Sequence, residues 1–128
     1  MKTTISFYGS HNGAIALAID GKVECVMEVE RFINMKNYGI AQYKIPYNAF
    51  YVMAEMVDWL KRRYNIEEFD ECISMNSTVV YYKLEDMKDF IPAKKYMSYT
   101  HHLSHAAGTF YQSPHNSALI FSFDGGGV

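Results

Sequence analysis

The chain has 128 residues, 49% hydrophobic and 20% charged, a balance that excludes disordered and fibrous classes. One domain with a real core is expected at this length. The net charge of −2 gives no general attraction for nucleic acid or an anionic membrane, and Lys61-Arg62-Arg63 is too short a basic run to supply one. Cys25 and Cys72 are far apart and lack any CxxC partner, so free buried thiols in a reducing compartment are expected. No apolar run is long enough for a secretory leader or a membrane span, which predicts a soluble, cytoplasmic protein.

Ile5 and Phe7 mark a first strand that stops at Gly9-Ser10-His11-Asn12-Gly13, where two glycines let the backbone turn sharply and present N–H groups. Ala14 to Ile19 and Lys22 to Glu30 read as two further strands. Asp20-Gly21 between them is a strong hairpin signal, because a type I′ turn needs positive φ at both central positions. Arg31 to Lys44 is a polar connection without periodicity. Pro46 suits the first turn of a helix, on which Phe50, Met53, Val57, Leu60 and Tyr64 recur at helical spacing.

After a polar break at Asn65 to Asp70, Glu71 to Met75 reads as a short strand, and Leu84 to Phe90 as a helical turn or two ended before Pro92. Lys95 to Tyr99 is a strand leading into a helix that starts at Thr100-His101. A last apolar strand, Ser117 to Phe123, delivers Asp124 into Gly125-Gly126-Gly127. The expected fold is α/β, a mixed sheet made of an antiparallel three-strand meander plus parallel strands, flanked by helices. Two strand-to-glycine runs, at Ile5 to Gly9 and Ile120 to Gly125, echo each other. Such an echo predicts a first lobe over 1–116 and, over 117–128, the first strand and phosphate loop of a second lobe that is expected to be truncated.

The chemistry concentrates in the last third. His101 and His105 are at i and i+4, so on a helix they share one face with Cβ atoms about 5–6 Å apart. That spacing can grip one metal ion, and it equally suits buried hydrogen-bonding residues beside Ala106, Ala107 and Gly108. His102 lies about 100° round the helix and is left without a role. Thr100 can cap the helix, where the dipole favours the neutral, metal-competent imidazole of His101. A carboxylate should complete the site, and Asp124 at the end of the next strand is the natural candidate. A zinc-peptidase reading is poor, because His102 stands where the catalytic Glu would be. Asp124-Gly125-Gly126 and Gly9 to Gly13 can each cradle phosphate or be plain turns. Glu28, Glu30, Arg31 and Lys36 can form a solvated cluster, or Arg31 and Lys36 can meet an anion.

The segment His101-His102-Leu103-Ser104-His105-Ala106-Ala107-Gly108-Thr109-Phe110-Tyr111-Gln112-Ser113-Pro114, with Phe123-Asp124-Gly125, resembles the signature of the O-carbamoyltransferases that include nodulation protein U and antibiotic-tailoring carbamoyltransferases. His11-Asn12-Gly13-Ala14, Asp20-Gly21, Glu28-Val29-Glu30-Arg31-Phe32, Lys36 and Pro46 also resemble that family's N-terminal pattern. Departures are Asn12 where Asp is usual, Val29 in place of a second acidic residue, and Asn34 where Arg is common.

The resemblance implies a lobe like those of the actin, sugar-kinase and heat-shock-chaperone superfamily. It implies a carbamoyl group passed from carbamoyl adenylate, made from carbamoyl phosphate and ATP by a YrdC-like domain, to a small-molecule acceptor hydroxyl. By the same resemblance His101, His105 and Asp124 would bind a divalent metal, commonly iron. His11 and Lys36 would lie near the carbamoyl and phosphate groups, and Gly13, Asp124, Gly125 and Gly126 near the nucleotide. A lobe lacking its second lobe and the YrdC-like domain is expected to be inactive alone. The alternatives are a tRNA threonylcarbamoyl transferase or another phosphotransferase of the superfamily, or a binding module for metal or nucleotide without catalysis.

Overall fold

The structure, a computed structural model, describes residues 1–9, 12–36, 48–76 and 87–123. Its centre is a five-stranded mixed sheet of β1 (Thr3–Tyr8), β2 (Ala14–Ile19), β3 (Lys22–Glu28), β4 (Phe69–Asn76) and β5 (Ala93–Thr100), in the order β3-β2-β1-β4-β5. β1, β2 and β3 form the expected antiparallel meander, while β4 pairs parallel to β1 and β5 parallel to β4. Between β2 and β3, Asp20 at φ 50° and Gly21 at φ 81° make the two left-handed positions that the hairpin requires.

Alternation along β1 decides how the sheet is used. Thr3, Ile5 and Phe7 are buried on one face, and Thr4, Ser6 and Tyr8 lie half-buried on the other. Register carries the buried face across the sheet, with Ile5 opposite Leu17 and Cys72, and Phe7 opposite Ile15 and Ser74. Helix α2 (Asn48–Tyr64) covers that face with Met53, Met56, Val57 and Leu60, all essentially inaccessible. Fully burying each such side chain is worth about 1.5–3 kcal/mol, so this interface contributes substantially to the fold's stability. The helix start expected at Pro46 lies outside the described residues. β4 and β5 both run longer than the sequence suggests, because Phe69 at the head of β4 is fully buried and Ala93 and Thr100 extend β5.

Two expectations are corrected. The third strand, read through Glu30, ends at Glu28, and Val29–Ile33 forms a short helix, α1. Val29 is buried and donates its N–H to Gly13 O at 2.9 Å, so the chain turns inward there instead of continuing along the edge. Asn34 at φ 57° then closes the helix after barely more than one turn.

The final strand is the other correction. Ser117–Phe123 joins no ladder among the described residues, and Leu119, Phe121 and Phe123 are each about four-fifths exposed or more (85%, 79% and 87%). An apolar run makes a strand only where a neighbouring edge accepts its backbone hydrogen bonds, and none does among the described residues. Between β4 and β5, Met87 accepts backbone hydrogen bonds from Phe90 and Ile91 as a single helical turn. The earlier part of that connection, from Leu84, is outside the described residues.

Candidate functional site

The chain direction sets where the site can form. β1, β3, β4 and β5 all run the same way, so their carboxyl ends and the start of β2 gather at one end of the sheet. Gly13, α1 and the histidine helix therefore share that end, the usual place for ligand sites in open α/β sheets. They leave it from different strands. β3 and β5 are the two edges, four strand spacings or roughly 19 Å apart.

Helix α3 (His101–Phe110) follows β5 without a break. Thr100 keeps extended backbone and its hydroxyl accepts the Leu103 N–H at 3.3 Å, which makes it the N-cap expected from the sequence. Ser104 returns its hydroxyl to Thr100 O at 3.0 Å and Thr109 to His105 O at 2.9 Å. No residue of α3 is fully buried in this chain. His101 is half-buried and His105 exposed.

The two rings converge. Nε2 of His105 lies 3.1 Å from Nε2 of His101, with ring centroids 4.5 Å apart and planes at 85°. A metal–imidazole bond of about 2.0–2.1 Å puts two nitrogens about 2.8–3.4 Å apart for angles between a right angle and tetrahedral. The observed separation falls in that range, so the pair fits one divalent ion. It also fits an N–H···N hydrogen bond with one ring donating, which the metal would replace. Among the described residues no third His, Cys, Asp or Glu joins them.

His102 acquires a partner that sequence reading left out. Its Nδ1 is 2.8 Å from Ser122 Oγ, and its ring stands edge-on to His101, centroids 5.6 Å apart and planes at 88°. Through this bond the segment before Asp124 lies along α3. A groove of about 280 Å³ forms between them, lined by His105, Ala106 and Thr109 on the helix and Ile120 to Phe123 on the segment. A second groove of about 290 Å³ lies at the carboxyl ends of β1 and β4, where Ser104 of α3 faces Tyr8, Ala14, Ile73 and Met75. It is on the sheet face away from α2. No sequence signal joins His102 to Ser122, because the pairing is long-range and neither residue belongs to a periodic pattern.

The remaining sequence candidates are dispersed. Gly13 is buried at the start of β2 beside Asn12, which takes the left-handed φ of 56° in that turn. Lys36 is exposed just past α1, off the β3 edge. Arg31 pairs with Glu28 one turn away, and the two nearby glutamates raise its pKa, Glu28 first; this favours the solvated cluster over an anion site. His11, Asp124, Gly125 and Gly126 lie outside the described residues. Cys72 is fully buried and burial pushes its thiol up to about 12, so it is no nucleophile; Cys25, expected to be buried, is half-exposed. No described helix is long and apolar enough to cross a membrane.

No protein-family model matches this chain, and no curated protein matches it.

Proposed function

We propose that the chain is the first lobe of the transferase domain of an O-carbamoyltransferase, in the actin, sugar-kinase and chaperone superfamily. The observation that carries the reading is the convergence of His101 and His105 Nε2 atoms, 3.1 Å apart on a capped helix at the carboxyl end of a parallel strand. The mixed sheet, an antiparallel meander with parallel strands added beside β1, is the layout that the resemblance implies.

In this reading His101 and His105 hold a divalent metal, iron by resemblance, with Asp124 as a further ligand. When bound, such an ion supplies Lewis-acid polarisation of a carbamoyl or phosphate oxygen. The chain's own residues contribute binding and orientation. Backbone N–H groups around Gly13 and at Gly125-Gly126 donate to the phosphates of ATP or carbamoyl adenylate, Lys36 offsets their charge, and His11 lies near the carbamoyl group. The acceptor is a small molecule bearing a hydroxyl, met between this lobe and a second one.

The test supplies carbamoyl phosphate labelled in its carbonyl carbon, ATP and Fe²⁺ to this chain joined to its second lobe and YrdC-like domain, with a panel of hydroxyl acceptors. Label should pass to an acceptor, and His101→Ala with His105→Ala should lower the rate by at least about 100-fold. Transfer at the parental rate by that double variant would overturn the reading; carbamoylation by the isolated lobe would overturn only the expectation that the lobe is inactive alone.

A further inference from the structure

We infer that Ser122 and His102 are positioning residues for the His101–His105 pair, coupling the segment 117–123 to the geometry of the metal site. The inference rests on the metal reading given above. Its basis is an unbroken series of contacts: Ser122 Oγ lies 2.8 Å from His102 Nδ1, the His102 ring stands edge-on to the His101 ring at 5.6 Å, and His101 Nε2 meets His105 Nε2 at 3.1 Å.

Each link removes a freedom. His101 and His102 are half-buried and His105 is exposed, so packing alone does not lock the His105 ring. An exposed imidazole explores several rotamers, and ordering each such side chain costs free energy that a metal must otherwise supply. The hydrogen bond to Ser122 holds His102, whose ring stands edge-on to that of His101 with centroids 5.6 Å apart, so an ordered His102 gives the His101 ring a fixed neighbour on that side. Ser122 is itself held half-buried, while its neighbours Phe121 and Phe123 are exposed, so its placement follows from the bond to His102 and the groove wall it shares with His105, Ala106 and Thr109. Outer partners of this kind set ligand orientation in metal sites. Coupling is reciprocal: what helps the pair bind metal is strengthened by the metal, so loading should quiet the segment at Ser122.

The experiment titrates Co²⁺, a visible-absorbing stand-in for Fe²⁺, into the parent chain and into Ser122→Ala, Ser122→Thr, His102→Phe and His101→Ala/His105→Ala. Amide exchange of residues 117–123 is read with and without metal. Ser122→Ala and His102→Phe should weaken Co²⁺ binding about 10-fold or more and shift its absorption bands, with Ser122→Thr restoring both. Metal should slow exchange in 117–123 in the parent but not in Ser122→Ala. Unchanged affinity and spectrum in Ser122→Ala and His102→Phe, with binding lost in the double histidine variant, overturns the positioning role and leaves the metal pair standing. Equal binding by the parent and the double histidine variant, or none by either, overturns both.

Discussion

Thr3 and Asp70 grip each other reciprocally. The Thr3 N–H and hydroxyl donate to Asp70 Oδ2 at 2.8 and 3.1 Å, and the Asp70 N–H returns to Thr3 Oγ1 at 3.1 Å. Lys94 adds its ammonium to Oδ1 at 2.7 Å, so one carboxylate ties β1, β4 and β5 together at the end of the sheet opposite the histidines. The Lys94 hydrogen bond, then the Thr3 backbone and hydroxyl, hold the Asp70 carboxyl down to about 2 from its ordinary 3.8. A depressed value in the folded state means that the unfolded chain takes up the proton first. The contribution of Asp70 is therefore complete above pH 3.8 and is lost as pH falls towards about 2. Denaturant midpoints should show Asp70→Asn less stable than the parent near neutrality, with the difference closing across that acid window. A constant difference down to the lowest pH would contradict this account.

The α2 interface supplies a sharper test of where stability resides. Leu60 is fully buried, whereas Asp58, two residues away, faces solvent. Leu60→Ala should cost about 2–5 kcal/mol, the transfer loss plus the cavity left behind, and Asp58→Ala no more than about 0.5 kcal/mol. Equal costs in urea unfolding would mean that α2 does not cover the sheet as described.

Gly108 offers a change of opposite sign. A Cβ built there meets nothing within 4 Å, and the residue lies inside helix α3. Gly108→Ala should stabilise the chain by about 0.5–1 kcal/mol, because alanine loses less backbone freedom on becoming helical. A lowered thermal midpoint would show that something approaches that face closely.

The two thiols should separate cleanly. Half-exposed Cys25 on the β3 edge should react with an aromatic disulfide reagent in the native protein, while Cys72, buried and with its thiol pushed up to about 12, should react only on unfolding. Simultaneous modification of both under native conditions would place Cys72 nearer the surface.

Much of this fold is legible in the sequence because its signals are local. Asp20-Gly21 states the hairpin, the Met53-Val57-Leu60 spacing states α2, and Thr100 before two histidines at i and i+4 states both the cap and the shared face of α3. Helix α1 was illegible for a reason of length: Val29–Ile33 is too short to display a helical period, and alternation through Val29 reads as strand. Leu119-Ile120-Phe121 has the composition of a strand, yet pairing depends on an edge that no local pattern reports. The bond from His102 to Ser122 is hidden for the same reason, since it links residues 20 apart through the turn after α3.

The metal-binding role proposed for His101 and His105 can be read by anaerobic calorimetric titration with Fe²⁺. The parent chain should bind one ion, and either His101→Ala or His105→Ala alone should abolish the heat of binding while leaving the thermal midpoint of the metal-free chain near that of the parent. Undiminished Fe²⁺ binding in both single variants would contradict the pairing and leave the 3.1 Å contact as a hydrogen bond between the two rings.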